Sequence, residues 1–404
     1  MLSVAEALER ILKGFAPLPA ETVSLAEAFG RVLATDIAAR VTQPPHAVSA
    51  MDGYAVRAAD VAQVPVGLKV IGAVPAGSLF DGRLGPGEAV RIFTGAPLPA
   101  GADAIVIQED TEAGDGRVTV KETCTSGTYV RPAGLDFAKG DPGPRAGRLL
   151  NARDVGLIAA MNHPWVAVRQ RPRVAILSTG DEVVMPGEPL GPSQIVSSNG
   201  LALAAFVRAC GGDPIQLGIA PDKEDQLAAL AAGAKGADLL LTAGGASVGD
   251  HDLVQKVLGA QGLELDFWKI AMRPGKPLMF GDLGGTPMLG LPGNPVSALV
   301  CALLFARPAL NALLGLDVPA HPLERMVLGA DLRPNDRRQD YLRSTIAVNG
   351  DGRRRATPYG RQDSSMMALL ASADGLIVRP PHAPAAAKGD LVEVLPFADL
   401  VPGL

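Results

Sequence analysis

The sequence predicts a multidomain α/β plus β protein, with a central doubly wound, mostly parallel α/β domain. The chain has 404 residues, 48% of them hydrophobic, which suffices for several cores at about 150 residues per domain. From Arg173 onward, apolar strand-like runs alternate with helical patterns, and short β-rich runs broken by Pro and Gly flank this part on both sides. We therefore expect an N-terminal helical linker region (1–41 plus 145–172), an inserted β domain (42–144), the α/β domain (173–318) and a small C-terminal β domain (319–404).

Helical patterns lie on both sides of the inserted β domain. Residues 3–14 predict a helix because Ser3 can act as N-cap, Glu6 completes a capping box and Gly14 stops the run. Further helices are predicted at 24–33 and 151–161. Short β runs, such as 68–74 and 104–107, fill the space between them, so the β domain interrupts one helical region.

The α/β domain is predicted element by element from its apolar runs. The strands are expected at 174–177, 215–220, 237–241, 263–270, 277–280 and 287–291, and the helices at 199–210, 222–233, 252–258 and 295–314. Strands buried on both faces with helices between them give a doubly wound sheet, whose ligands bind at the carboxyl ends of the strands.

Charge and cysteine usage exclude several classes of protein. The net charge of −5 provides no global positive field for nucleic acid or an anionic membrane. The three cysteines, Cys124, Cys210 and Cys301, are far apart and form no CxxC pair, which argues against a disulfide framework or a structural zinc site. The N-terminus lacks a signal-peptide pattern, and the apolar stretch 296–306 is too short to span a bilayer. We expect a soluble, cytoplasmic protein.

A glycine-rich run after one predicted strand, TAGGASVGDHD at 242–252, indicates a site for an anion and a metal. Gly244, Gly245 and Gly249 let backbone N–H groups converge on negative charge. Asp250 and Asp252 offer hard oxygen ligands for a phosphate-bound Mg²⁺. The alternative is an ordinary βα turn whose Asp caps the next helix.

Other strand ends add polar groups. Ser178 to Glu182 and Ala220 to Asp222 follow two strands, while Lys269, Arg273 and Lys276 fall within eight residues of a loop stiffened by Pro and Gly. Their like charges would repel unless an anion lay between them, although a single lysine in a loop is usually only solvated.

The segment LPGNPVS at 291–297 opens a helix. Asn294 suits the N-cap and Pro295 the first helical position, so the free N–H groups near Ser297 offer a further anion seat. Ordinary helix capping would explain the same residues. Polar turns around Asp52, Thr94 and Asp136 in the β domain could be structural by composition alone, and no Ser-His-Asp or HExxH arrangement is visible.

Six motifs occur in order along the chain: MDGYAVR, RIFTGAPLPAGADA, LSTGDE, TAGGASVGDHD, FWKIAMRPGKP and GLPGNPVS. Together they resemble the molybdopterin molybdenumtransferase family, known as MoeA in bacteria and as the E domain of gephyrin in animals. The resemblance implies a homodimer with its active site between the α/β domain of one subunit and the inserted β domain of the other. It implies Mg²⁺-dependent reaction of molybdate with adenylated molybdopterin and release of AMP.

The resemblance also implies residue roles. Asp52, Thr94 and Asp136 would reach the site from the second subunit. The catalytic set would be completed by Glu182, Asp222, Asp252 and Lys269, with Asp222 and Asp252 on Mg²⁺. Phosphate would be held by Gly245, Ser247, Gly249 and Asp250, next to Pro292 and Pro295.

Molybdate would lie against Arg273, Lys276 and Ser297, joined by Arg343 and by Ser364 or Ser365 of the C-terminal domain. The family commonly has Lys where this chain has Arg273. Because no activated Ser or Cys is evident, we expect no covalent enzyme intermediate. Transient contact with molybdopterin adenylyltransferase and with apo-molybdoenzymes would fit this role.

Two other functions stay open from the sequence. A molybdopterin adenylyltransferase resembles residues 173–318 with their glycine loop, but lacks the flanking domains. A scaffold, as gephyrin's E domain is at synapses, would act through the C-terminal β domain. It would not need the polar residues to which the resemblance gives catalytic and binding roles.

Overall fold

The computed structural model describes residues 1–75, 77–244, 253–316, 321–348, 350 and 352–398. The chain begins with helix α1 (Val4–Lys13) and strand β1 (Ala20–Ser24). The capping box of α1 is present: the Glu6 amide donates to Ser3 Oγ, and the Ser3 amide donates to Glu6 Oε2. The buried face of α1 packs on the core of the α/β domain.

The helix predicted at 24–33 is wrong, because only a single 3₁₀ turn forms at Leu25–Glu27. Gly30 adopts a left-handed φ of 71°, and the following residues make isolated bridges, Val32 to Leu149 and Leu33 to Val168. Extended pairing with the returning chain therefore outweighs the local helical pattern.

The inserted domain is all β, as expected. Its strands are β2 (Val48–Ser49), β3 (Gly53–Val56), β4 (Val66–Val74), β5 (Glu88–Ile92), β6 (Ala104–Ile107), β7 (Thr111–Gly114), β8 (Arg117–Val120) and β9 (Val130–Arg131). Six of them form a sheet in the order β6-β3-β5-β4-β8-β7, and β2 pairs with β9. All four residues of β3 are buried, and the strand lies between β6 and β5 in the sheet, so Asp52 directly precedes a buried strand.

The chain then returns to the linker region through α2 (Ala152–Ala160) and β10 (Trp165–Arg169). β10 pairs antiparallel with β1, so the two halves of the linker region join across the insertion. Asn151 is the N-cap of α2, so the helix starts where the sequence predicts.

The α/β domain follows the predicted alternation. Its elements are β11 (Arg173–Thr179), β12 (Val183–Val184), β13 (Ile195–Val196), α3 (Asn199–Ala209), β14 (Asp213–Ala220), α4 (Glu224–Ala231), β15 (Leu239–Ala243), α5 (Leu253–Ala260), β16 (Leu263–Trp268), β17 (Met272–Arg273), β18 (Met279–Leu283), β19 (Thr286–Leu291), α6 (Pro295–Cys301) and α7 (Arg307–Leu314). The sheet order is β14-β11-β15-β19-β18-β16, and β18 alone runs in the opposite direction to the other five strands. The mostly parallel, doubly wound sheet is confirmed.

A π-helical segment, Ala302–Ala306, joins α6 to α7. The resulting helical run Pro295–Leu314 has 20 residues and is long and apolar enough to cross a membrane by length and composition. The expectation that the apolar stretch 296–306 is too short to span a bilayer therefore does not hold for the whole helix. Its most apolar window is 83% buried inside the fold, as expected for the core helix of a globular domain.

The C-terminal domain contains β20 (Glu324–Leu328), β21 (Gln339–Val348), β22 (Arg354–Pro358), α8 (Met367–Ala371), β23 (Gly375–Arg379) and β24 (Leu391–Pro396). Strand pairing in the order β21-β22-β20-β24-β23 closes through β21 and β23 into a small barrel. β17, which belongs to a loop of the α/β domain, pairs in parallel with β21 of this barrel. The two domains thus share a sheet edge.

Candidate active site at the carboxyl ends of the strands

Two neighbouring strand ends carry the acidic residues predicted for the site. Past β11 and β14, the Gly180 amide donates to Ala220 O, and the Asp222 amide donates to Asp181 Oδ1 at 2.9 Å. Gly180 has a φ of 131°, and a Cβ there would lie 2.4 Å from Glu182 Oε2, so glycine makes room for the Glu182 carboxylate. The structure therefore brings the turns of Glu182 and Asp222 together.

Two details differ from the sequence prediction. The helix expected from Asp222 begins at Glu224, which leaves Asp222 exposed in the turn rather than in the first helical turn. Asp181 was not singled out, although it holds the Asp222 backbone. Its place in the STGDE motif was the only available signal.

The next strand end leads into the glycine-rich loop. Gly244 has a φ of 101°, and a Cβ there would lie 2.7 Å from Thr179 O and 2.8 Å from Thr179 Oγ1. Glycine is therefore required at the start of this loop. The predicted phosphate and metal residues Gly245, Ser247, Gly249, Asp250 and Asp252 lie outside the described residues.

The start of α6 is covered by a loop of the barrel. Asn294 is the N-cap and Pro295 occupies the first turn, as predicted. The Asn294 amide group donates to Ser364 Oγ at 2.9 Å, and the Val296 backbone amide donates to Ser364 O at 3.1 Å. Ser297 is buried, with 5% of its surface exposed.

Two further residues complete this corner of the sheet. Asn199, at the start of α3, donates from Nδ2 to Gly293 O at 2.7 Å. Pro292 is buried and Pro295 is half-buried beside it. Asn199 was not predicted, since a helix N-terminal Asn is typical of capping and gave no sign of a site.

Arg343 lies beneath the loop that carries Ser364. It is 1% exposed, and its guanidinium donates to Asp363 O at 2.9 Å and to Met366 O at 3.0 Å. Burial lowers the pKa of Arg343, but it stays positively charged. Ser365 donates through its hydroxyl and its amide to Asp363 Oδ1, which lowers the pKa of Asp363. Arg343 and Ser365 are neighbours in the structure, and the Arg343 donors are directed to the loop backbone.

Lys269 and Lys276 flank one turn of the loop between β16 and β18. The Ile270 amide donates to Lys276 O at 3.0 Å, and the Lys269 amide donates to Leu278 O at 3.0 Å. The Lys269 Nζ lies 4.1 Å from the centroid of the Trp268 ring, a cation–π distance. We call residues 269–276 the cationic loop.

Arg273 has a carboxylate partner within the fold. Its Nε donates to Asp340 Oδ1 at 2.9 Å and its Nη2 to Asp340 Oδ2 at 2.6 Å. The expectation that the three cations need an anion between them is therefore met for Arg273 by Asp340, which lies 67 positions further along the chain.

In the inserted domain, Asp52 and Thr94 are in direct contact. The Thr94 amide and hydroxyl donate to Asp52 Oδ1 at 2.7 and 2.8 Å, and these hydrogen bonds lower the pKa of Asp52, aided by the charge of Arg91. The Arg91 guanidinium lies 5.0 Å from the ring centroid of Phe93 and donates to Gly53 O at 3.1 Å. Arg91 was not predicted, although it begins the RIFTG motif.

Asp136 lies on a separate turn of the same region, where its amide donates to Gln43 O at 3.0 Å and its side chain is exposed. The side-chain hydrogen bonds between Asp52 and Thr94 stay within the inserted domain, and we describe this group and the strand-end group as two polar surfaces of the chain.

Fold and site define a class of protein: a multidomain α/β protein with acidic residues and a helix start at the carboxyl ends of a mostly parallel sheet, where proteins of this architecture bind their ligands. Residues 2–162 match the MoeA N-terminal region (domain I and II), residues 175–312 a probable molybdopterin binding domain, and residues 325–397 the MoeA C-terminal region (domain IV).

Whole-chain relatives agree. The chain is 38% identical to a molybdopterin molybdenumtransferase of Nostoc sp., covering 89% of this chain and 85% of that protein. It is 39% identical to molybdopterin molybdenumtransferase 2 of Mycobacterium tuberculosis, covering 92% and 94%. The crystal structure of a molybdopterin biosynthesis MoeA protein from Pyrococcus horikosii superposes with a TM-score of 0.85 at 34% identity, covering 98% and 99%.

The chain belongs to the molybdopterin molybdenumtransferase family. The resemblance, the fold class and the assignment as a transferase of molybdenum cofactor biosynthesis are confirmed.

Proposed function

We propose that this chain inserts molybdate into adenylated molybdopterin in an Mg²⁺-dependent reaction that releases AMP. One observation carries the proposal: Ser364 of the barrel contacts the start of α6, the helix that follows strand β19. Glu182 and Asp222 follow strands β11 and β14 of the same sheet. In this proposal the anion binds beside that contact, at the same edge of the sheet as the acidic residues. A reaction that joins an oxyanion to a phosphate-bearing substrate needs both an anion site and acidic residues.

A magnesium ion at the strand ends is part of the proposal. Mg²⁺ is commonly bound by one or two carboxylates together with substrate phosphates, rather than by an all-protein cage. Among the described residues no three His, Cys, Asp or Glu side chains cluster closely enough to hold a metal alone, and Asp222 is exposed at a strand end. Asp222 and Asp252 would hold the ion, which would neutralise phosphate charge on the bound substrate.

The remaining polar residues bind and orient. Lys276 and Ser297 would bind the molybdate oxygens, and Lys269 would add positive charge near them. Ser364 completes the seat through its contacts with α6. The glycine-rich loop would take the phosphate through its backbone N–H groups, as its sequence predicts.

A covalent cysteine intermediate is disfavoured by the surroundings of the three thiols. Burial raises the pKa of Cys210 to about 12 and raises that of Cys301 as well, and burial also raises the pKa of the partly exposed Cys124. A thiol with a raised pKa carries little thiolate at neutral pH and is a poor nucleophile.

A homodimer with shared sites is part of the proposal. Asp52 and Thr94 form an ordered polar pair on the surface of the inserted domain, and the neighbouring Met51 and Phe93 are 39% and 36% exposed. The proposal that this surface is an interface follows the family resemblance, because two singly exposed apolar residues are ordinary on a protein surface. A second copy that brought its strand ends to this surface would bury both. The cytoplasm, where free cysteines persist, would be the working compartment.

The test is AMP release from adenylated molybdopterin by the purified chain, with molybdate and Mg²⁺ each present or omitted. We expect release that requires both, and molybdenum bound to the pterin product. Asp222→Asn should raise the Mg²⁺ concentration needed for half-maximal release, whereas Asp225→Asn, an exposed carboxylate three residues further on, should not. ATP consumption with molybdopterin alone would contradict the proposal and favour an adenylyltransferase, and AMP release that ignores molybdate would also contradict it.

A further inference from the structure

The cationic loop is held from three sides. Its Ala271 amide donates to Leu2 O at 2.8 Å, and the Gln339 amide of the barrel donates to Ala271 O at 2.9 Å. Below the loop, a Cβ on Gly275 would lie 2.4 Å from Cys301 Sγ, so the backbone is in tight contact with α6. The position of the loop therefore depends partly on the barrel.

The strongest link to the barrel is a side-chain pair. Arg273 and Asp340 face each other across the β17–β21 pairing, and both guanidinium-to-carboxylate hydrogen bonds are short. Asp340 is 7% exposed, whereas the Arg273 side chain is 47% exposed. A bidentate pair with one partner buried is geometrically well defined, unlike an exposed lysine contact.

The barrel also orients this pair from the other side. Asn335 Oδ1 lies 3.3 Å from Arg273 Nη2, and Asn335 Nδ2 donates to Arg338 O at 2.7 Å and to Pro380 O at 3.0 Å. The partners of Arg273 are therefore fixed in the barrel before any ligand binds. A free oxyanion would have to compete with a carboxylate that the fold already places in contact.

We propose that Asp340 is a positioning residue, which holds the cationic loop against the barrel through its pair with Arg273. Arg273 then acts as a latch between the α/β domain and the barrel and does not bind the anion itself. Lys269 and Lys276 are the cations that the latch keeps in place. The kinetic part of this inference rests on the proposed function, in which molybdate occupies the seat beside these lysines.

The latch and direct anion binding by Arg273 predict opposite effects for Asp340→Asn. If Arg273 bound the anion, removing the carboxylate would free its charge, and less molybdate would be needed. If Arg273 is the latch, the same change loosens the loop, and more molybdate is needed. We expect the half-saturating molybdate concentration to rise about three- to tenfold, with kcat at saturating molybdate within about twofold.

A double-mutant cycle with Arg273→Lys sharpens the test, because lysine keeps the charge but loses the fork. The latch requires both single variants to raise the half-saturating concentration and the double variant to be no worse than the worse single one. Asp336→Asn is the matched control: its Oδ2 lies 3.8 Å from Arg273 Nη2, so it removes a similar charge without touching the bidentate pair. It should leave the molybdate dependence unchanged. A lower half-saturating concentration in Asp340→Asn, or an equal effect of Asp336→Asn, would overturn the proposal.

Amide hydrogen exchange tests the latch without turnover. In Asp340→Asn, peptides spanning 269–276 and the Gln339 amide should exchange faster than in the unmodified chain, while peptides from the inserted domain should not change. Unchanged exchange at the cationic loop would overturn the latch. If the unmodified chain shows no molybdate-dependent AMP release, the proposed function fails, and the exchange result still decides whether Asp340 positions the loop.

Discussion

Arg343→Met should separate a positioning role from direct anion binding. Methionine fills much of the same volume but removes the donors to Asp363 O and Met366 O, which hold the loop that presents Ser364. Each lost hydrogen bond from a charged donor would cost about 1.5–3 kcal/mol, offset partly because a buried charge no longer needs to be desolvated. The net loss of barrel stability should be about 2–4 kcal/mol.

The assay is calorimetric unfolding of the full chain, with Arg361→Met, an exposed neighbour, as the control. For a domain of this size, the expected loss corresponds to a fall in the barrel's melting temperature of roughly 10–20 °C. Molybdate half-saturation should weaken with it, because Ser364 is no longer held on α6. A stability loss below about 1 kcal/mol combined with a large rise in the molybdate requirement would refute the reasoning, and would mean that Arg343 contacts the anion directly.

Three further predictions concern the two polar surfaces. Mixing inactive Asp52→Ala with inactive Asp252→Ala subunits should restore part of the AMP release if sites are shared; exchange of subunits without recovery would contradict the shared site. Arg273→Ala removes the other half of the pair with Asp340, so it should raise the half-saturating molybdate concentration by about three- to tenfold, as Asp340→Asn does, and hardly alter binding of adenylated molybdopterin. Weaker binding of adenylated molybdopterin with unchanged molybdate dependence would contradict the separation of the two seats. Because hydrogen bonds from Thr94 hold the pKa of Asp52 below its usual value, their stabilisation is present above the unfolded-state pKa and is lost as the pH falls through the folded-state pKa. Thr94→Val should therefore move the acidic limb of the pH–rate profile to higher pH, and an unmoved limb would show that Asp52 does not control it.

The order of strands and helices in the α/β domain could be predicted because burial on both faces leaves nearly continuous apolar runs. β15 is buried at all five positions, and its apolar run is followed at once by Gly244, whose φ of 101° favours glycine. The segment 24–33 could not be predicted in the same way. Its helical pattern competes with bridges to residues more than 100 positions away, and local periodicity carries no information about such partners.

In the candidate site, too, local features could be predicted from the sequence, whereas contacts between distant segments could not. Asn294 and Pro295 were identified from local capping chemistry, and the structure has them at the start of α6. The contact between Ser364 and that helix joins positions 70 residues apart, and neither segment's sequence indicates the other as its partner. The resemblance to a family suggested that Ser364 and Arg343 approach the site, but not that Arg343 would direct its donors to the loop backbone.

The pair Arg273–Asp340 explains why a cluster of charges in a sequence is weak evidence for a ligand. Three cations within eight residues repel one another, so some negative charge must lie nearby, but the sequence cannot say whether it belongs to a ligand or to a distant part of the fold. Here Asp340 of the barrel pairs with Arg273, one of the three cations. In our proposal Lys269 and Lys276 are the two that interact with an anion. The barrel thereby does two things at the same edge of the sheet: it covers the start of α6 with Ser364 and fixes the loop that carries the lysines. A seat built in this way depends on the contact between domains, so substitutions at that contact should alter molybdate use even where they touch no ligand.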